Sequence, residues 1–286
     1  MVTKMPSVLI VILNYRTYKL TLQLIDELNE KLEYDNYEIM VVDNHSPNES
    51  ARILDEEKNR KHFIFYANDK NAGYAVGNNI GIKYGYQHGY KYTWIVNNDI
   101  KLREKNVLKH MVYIAEKEPM IACVGPKILA SNQNPVAPYC KRPTIWTMTV
   151  GCLQDKINRD RNIDVSMEVY RVYGCCMLLR NEAMNAINYM DERTFLYGEE
   201  DILAERFLLK EYKTFYDSEV SVLHNDSATI RYSLKSEKNA LAYKMSVEAM
   251  KSRELYLKEY RKYPAVVRLV CHKFRKMILR LKGFLQ

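Results

Sequence analysis

The apolar runs at residues 7–13, 37–42 and 92–96 each stop abruptly at polar side chains: Asn14-Tyr15, Asp43-Asn44-His45-Ser46 and Asn97-Asn98-Asp99. Continuous apolar runs of this length read as strands covered on both faces. Leu20, Leu24, Ile25 and Leu28 recur at helical spacing after the first run. Residues 63–66 read as a further strand, and the segment 71–79 leads into a helix ending at about Gln87. Strand and helix patterns that alternate in this way imply an α/β chain. Its central sheet is expected to be mostly parallel, with helices on both faces. Ligands of such sheets bind beyond the carboxyl ends of the strands, which is where the polar stops fall.

Composition narrows the ligand. The 286 residues are 47% hydrophobic, enough for a sizeable core, and suit one large domain with an appendage. A net charge of +8 favours an anionic partner: a nucleotide, a membrane surface or nucleic acid. Nucleic acid is disfavoured because no reading module or aromatic stacking motif accompanies the charge. The segment 71–79, Asn-Ala-Gly-Tyr-Ala-Val-Gly-Asn-Asn, has neither GK[ST] nor GxGxxG, which argues against an ATPase and a dehydrogenase. Residues 1–6 are too short for a secretory leader, and no apolar stretch reaches bilayer length. The six cysteines lack paired CxxC spacing, so reduced thiols, no zinc site and a cytoplasmic location are expected.

The polar stops suggest particular chemistry. Asp43 can accept hydrogen bonds from a base imide or a ribose hydroxyl. Asn71 and Gly73 allow close backbone approach, because glycine carries no Cβ. Asp99 can hold a divalent cation against a phosphate. Further on, Glu199, Glu200 and Asp201 precede an amphipathic helix. Acidic residues there complement the helix dipole, or one of them is a base. Glu200 shares a helical face with Leu203 and Phe207, so it is expected to point inward. The apolar run 220–223 ends at His224.

Taken in order, residues 11–15 (Val-Ile-Leu-Asn-Tyr), 41–46 (Val-Val-Asp-Asn-His-Ser), 71–79 and 96–99 (Val-Asn-Asn-Asp) resemble the family 2 inverting glycosyltransferases, most closely their rhamnosyltransferase-like branch. The resemblance continues through 173–180, 195–201 and His224. It implies a GT-A fold with a Rossmann-like nucleotide-binding half. Residues 1–235 would form that domain: about 1–100 for the nucleotide sugar, and about 101–235 for the acceptor side and the base. By the same resemblance Asn14, Asp43 and Asn44 hold the nucleoside, and Asn71, Gly73, Asn78, Asn97 and Asn98 line the donor pocket. Asp99 is the last member of a metal-binding DxD whose first Asp is replaced by Asn97, and His224 joins Mn²⁺ or Mg²⁺. The base is Glu200 if Arg206 matches the family's downstream arginine, and Asp201 if a literal Glu-Asp pair is matched; Glu200 is slightly favoured.

Implied partners are a dTDP- or UDP-linked sugar and a glycan or polyprenyl-linked acceptor of bacterial cell-surface polysaccharide. A nucleotidyltransferase and a non-catalytic nucleotide-sugar-binding scaffold are the alternatives. Residues 130–168 read as a long loop in which Tyr139, Arg142 and Trp146 could meet the acceptor. Residues 236–286 read as a basic helical extension. Its amphipathic end either lies on an anionic membrane at the inner face of the cell, or docks on the core or on a second subunit as a homodimer. Arg268, Lys273, Arg275, Lys276, Arg280 and Lys282 would supply attraction to lipid. Val267, Leu269, Val270, Phe274, Ile278, Leu281 and Phe284 would insert.

Overall fold

The computed structural model describes residues 5–150, 163–225 and 235–281. The first half runs β1 (Val8–Asn14), α1 (Tyr18–Lys31), β2 (Tyr37–Asp43), α2 (Ser50–Glu57), β3 (Ile64–Ala67), α3 (Tyr74–Gln87) and β4 (Tyr92–Val96). Next come β5 (Ile100–Leu102), α4 (Val107–Glu116), β6 (Ile121–Leu129), β7 (Pro135–Val136), α5 (Ile145–Val150), β8 (Met167–Val169) and β9 (Cys176–Arg180). The remainder is α6 (Asn181–Ala186), α7 (Glu199–Leu208), β10 (Lys213–His224), α8 (Lys235–Leu255), a π-helical turn (Tyr256–Tyr260) and α9 (Ala265–Leu281). Among the described residues no helix is long and apolar enough to cross a membrane.

One mixed sheet carries the fold, in the order β3-β2-β1-β4-β9-β6-β10-β5. The β3-β2-β1-β4 half is wholly parallel, as its unbroken apolar strands require. Val8–Ile12 of β1 have no exposed surface, because helices cover both faces. On one face α1 buries Thr21, Leu24, Ile25 and Leu28. On the other, Gly77 and Gly81 of α3 let that helix sit against Leu13 and Val11; a Cβ at either glycine would come within 2.5 Å of those side chains. Gly77 is thus a packing residue. Beyond β4 the pattern changes. β9 enters antiparallel between β4 and β6, and β5 folds back against β10 so that His224 lies opposite Ile100.

Two expectations need correction. Residues 130–168 hold β7, α5 and the start of β8 as well as loop, while 151–162 lie outside the described residues. The tail divides its residues between two faces. Val267 packs with Cys271, Tyr256, Leu257 and Ile145 against Ile202 of α7. Arg268 donates to Glu254 at 2.8 Å and to the Tyr263 carbonyl at 2.9 Å. Neither therefore faces outward. Lys282, Phe284 and the side chains of Ile278 and Leu281 lie outside the described residues.

Candidate active site

The polar strand ends meet in one connected network. Asn14 Nδ2 donates to Asp43 Oδ1 at 2.6 Å, and Thr21 Oγ1 donates to Asn14 Oδ1 at 2.9 Å. Asn98 Nδ2 reaches Thr17 Oγ1 at 2.8 Å and Thr21 Oγ1 at 2.9 Å, which ties the end of β4 to the start of α1. Asp43 is fully buried and also accepts from the Ser46 amide and hydroxyl, at 2.8 and 2.7 Å. Three neutral donors therefore hold its carboxyl group, which offsets the cost of burying it.

The segment 71–73 closes the neighbouring edge. Asn44 Nδ2 donates to Asn71 Oδ1 at 3.0 Å and to the Gly73 carbonyl at 3.1 Å. Gly73 has φ +97°, ψ −177°, a conformation that only glycine adopts readily. A Cβ there would also meet the Phe195 backbone, with its Cα at 2.7 Å. Asn78 does not join this network: it is buried in α3 and donates to the Tyr74 carbonyl of its own helix at 3.0 Å.

Asn97, Asn98 and Asp99 form the turn between β4 and β5, closed by the Ile100 amide on the Asn97 carbonyl at 3.1 Å. The Asn97 amide donates to the Cys175 carbonyl at 2.9 Å, linking this turn to the start of β9. The return of β10 beside β5 brings His224 Nε2 within 3.3 Å of Asp99 Oδ1. That oxygen is buried and receives no well-angled hydrogen bond. A carboxylate oxygen and an imidazole nitrogen converging on one point suit a divalent cation, particularly Mn²⁺. Among the described residues no set of three or more His, Cys, Asp and Glu could hold a metal. Its other ligands would be phosphate oxygens and water, as is usual where protein carboxylates are few.

The acidic trio at the start of α7 occupies three different environments. Glu199 is 5% exposed, and its Oε1 has no hydrogen-bond partner. Burial first, then the charges of Glu200 and Asp201, push its carboxyl up to about 8, although its own backbone amide pulls the other way. Glu200 Oε1 accepts from the Gly174 amide at 3.2 Å. Asp201 Oδ1 faces Arg171 Nε at 2.7 Å, and that guanidinium lies 3.6 Å from the centre of the Tyr139 ring. Burial alone would pull Arg171 down; the charges of Asp201 and Glu200 outweigh it and hold the group firmly protonated.

Gly174 is gripped at both backbone atoms, since the Tyr74 hydroxyl donates to its carbonyl at 2.5 Å. Burial, followed by the charge of Glu200, raises the Tyr74 phenol well above its ordinary value, so it keeps its proton. Arg142, expected on the acceptor side, turns its guanidinium toward the core while half of its side chain stays exposed. It pairs with the buried Glu205, Nε to Oε1 at 2.8 Å, and the hydroxyls of Tyr170 and Tyr256 join them at 3.0 and 3.1 Å. Trp146 on α5 stays exposed.

Thr17, Thr21 and Arg171 went unread in the sequence, and Ser46, Tyr74 and Gly174 entered only as members of the quoted motifs. Thr21 carried a signal: a hydroxyl on the apolar face of α1, one turn before Leu24 and Ile25.

Residues 7–187 match the family model described as glycosyl transferase family 2, well over half of the chain. The match ends before Glu199–Asp201 and His224. A curated relative is the low-salt glycan biosynthesis hexosyltransferase Agl10 of Haloferax volcanii, 23% identical over 199 residues, or 69% of this chain. Those residues span 60% of the relative's length. Solved structures share the fold. S. aureus TarS superposes with a TM-score of 0.55 at 14% identity, covering 97% of this chain and 74% of TarS. The mannosyltransferase PcManGT of Pyrobaculum calidifontis, solved with GDP-Man and Mn²⁺, gives 0.59 at 12% identity, covering 97% and 71%. GalNAc-T7 with UDP, GalNAc and Mn²⁺ gives 0.64 at 13%, covering 99% and 57%.

Proposed function

The chain belongs to glycosyl transferase family 2, and from that premise we propose that it moves a sugar, L-rhamnose in the first instance, from a dTDP- or UDP-linked donor onto a glycan or polyprenyl-linked acceptor of cell-surface polysaccharide, with inversion. Asp43, Asn14 and Asn44 would receive the nucleoside at the ends of β1 and β2. Asn71, Gly73, Asn97 and Asn98 border the space for the diphosphate and sugar. Asp99 and His224 would hold Mn²⁺ or Mg²⁺, whose charge offsets that gained by the leaving diphosphate. TarS has been solved with UDP-GlcNAc and PcManGT with GDP-Man, so both bases belong in any donor test.

The observation that carries the reading is the sorting of the acidic trio. Asp201 is paired with Arg171, and burial with the charge of Glu200 pushes the Glu199 carboxyl up to about 8. Glu200 remains as the carboxylate suited to remove a proton, held by the amide of Gly174. The acceptor hydroxyl attacks the anomeric carbon, Glu200 takes its proton, and the bond from that carbon to the diphosphate oxygen breaks. A single displacement of this kind inverts the anomeric centre and needs one base. The exposed Trp146 offers a surface for the acceptor.

Binding of UDP-, GDP- and dTDP-sugars, followed by product formation with each binder, tests the proposal. Saturable binding of at least one donor and release of its nucleoside diphosphate in the presence of acceptor are expected. Failure of every donor to bind would overturn it.

A further inference from the structure

Among the described residues, helix α9 leaves a row of apolar side chains uncovered. Val267 and Cys271 turn toward the core. Val266, Leu269, Val270, Phe274 and Met277 nevertheless remain 41% to 73% exposed. Their spacing of three and four residues makes one stripe along the helix. Lys273 and Lys276 are exposed along the same side, and a shallow depression of about 450 Å³ is lined by Lys273, Lys276, Met277 and Arg280. No acidic residue occurs anywhere between Ala265 and Leu281.

We propose that α9 lies flat on an anionic lipid bilayer, inserting this stripe between headgroups that Lys273, Lys276 and Arg280 neutralise. Charge decides among occupants. A second copy docking on the stripe by two-fold symmetry would bring these cations against themselves. A nucleic-acid backbone would answer the cations but leave five apolar side chains against phosphate. An anionic bilayer answers both, as interfacial helices of this composition do. The inner face of α9 shares a cluster with Ile202, two residues beyond Glu200, so docking would seat the base's helix close to the membrane. The surface itself stands apart from the catalytic reading.

Co-sedimentation of the full chain with phosphatidylcholine vesicles, with and without phosphatidylglycerol, tests this without donor or acceptor. Its outcome is therefore separate from that of the glycosyl-transfer assay. Binding to the anionic vesicles alone, weakening as salt rises, is expected. Each neutralised cation should lower partition about fivefold, and Lys273→Gln, Lys276→Gln and Arg280→Gln together roughly 100-fold. Leu269→Ser with Val270→Ser should weaken binding to the same vesicles, with thermal melting unchanged because both side chains are exposed. Equal partition onto both vesicle types, or no loss in either variant, would overturn the proposal. So would a dimer in light scattering that dissociates on Leu269→Ser with Val270→Ser, or a mobility shift with nucleic acid that exceeds lipid binding.

Discussion

Around the ends of β1, β2 and β4, amides and hydroxyls surround the carboxylate of Asp43. Around the start of α7, Glu199, Glu200, Asp201 and Glu205 crowd against Arg142 and Arg171. The first network holds a single carboxyl among neutral donors, which offsets the cost of burying it. The second is charged and partly buried, and burial with the charge of Glu200 pushes the carboxyl of Glu199 up. Perturbed groups of that kind gather where proton transfer occurs. A donor is thus offered a preformed surface, while the acceptor's proton is offered a tuned one.

The largest effect is expected at Asp99, in the turn after β4 and beside His224. Asp99→Ala should abolish turnover and weaken nucleoside diphosphate binding in Mn²⁺, with folding intact. Full activity of the variant, or of the native enzyme in EDTA, would remove the metal from the account.

Gly73→Ala probes the first region. Its backbone conformation alone should cost about 1–3 kcal/mol, and the clash with Phe195 adds to that. A melting temperature equal to that of the native protein would show that the 71–73 edge is adaptable after all.

Glu199→Gln probes the tuned side and has the smallest expected effect. An unfolded glutamate ionises near 4.5, whereas folded Glu199 holds its proton to about 8. Its contribution to stability is therefore complete below 4.5 and drains away as pH rises toward 8. The glutamine cannot ionise, so the variant should lose less stability than the native protein across that window. Parallel pH profiles in chemical denaturation would contradict the assignment.

The parallel half was legible because each of its strands is a continuous apolar run with a polar stop. β4 falls on residues 92–96 as read, and β3 lies one residue later than read, at Ile64–Ala67. The other half was harder to read for a physical reason. β5 and β8 are three residues each, and β9 pairs with β4 across more than eighty residues of chain. Periodicity carries no record of such partners. The same limit applies within the site. That Glu200 shares a face with Leu203 and Phe207 follows from helical spacing, and these three line one small buried space. That Arg171 pairs with Asp201, and Arg142 with Glu205, depends on contacts between distant segments.

The division of labour within the acidic trio is tested most directly by turnover of Glu200→Gln and Asp201→Asn at saturating donor, with the product's anomeric configuration read by NMR. Glu200→Gln should lose about 10²–10⁴-fold in turnover with donor affinity nearly intact. Asp201→Asn should retain chemistry but melt earlier, by roughly 1–3 kcal/mol, because the buried guanidinium of Arg171 loses its partner. The native product should be inverted. A crippled Asp201→Asn beside a near-normal Glu200→Gln, or a product of retained configuration, would contradict the account.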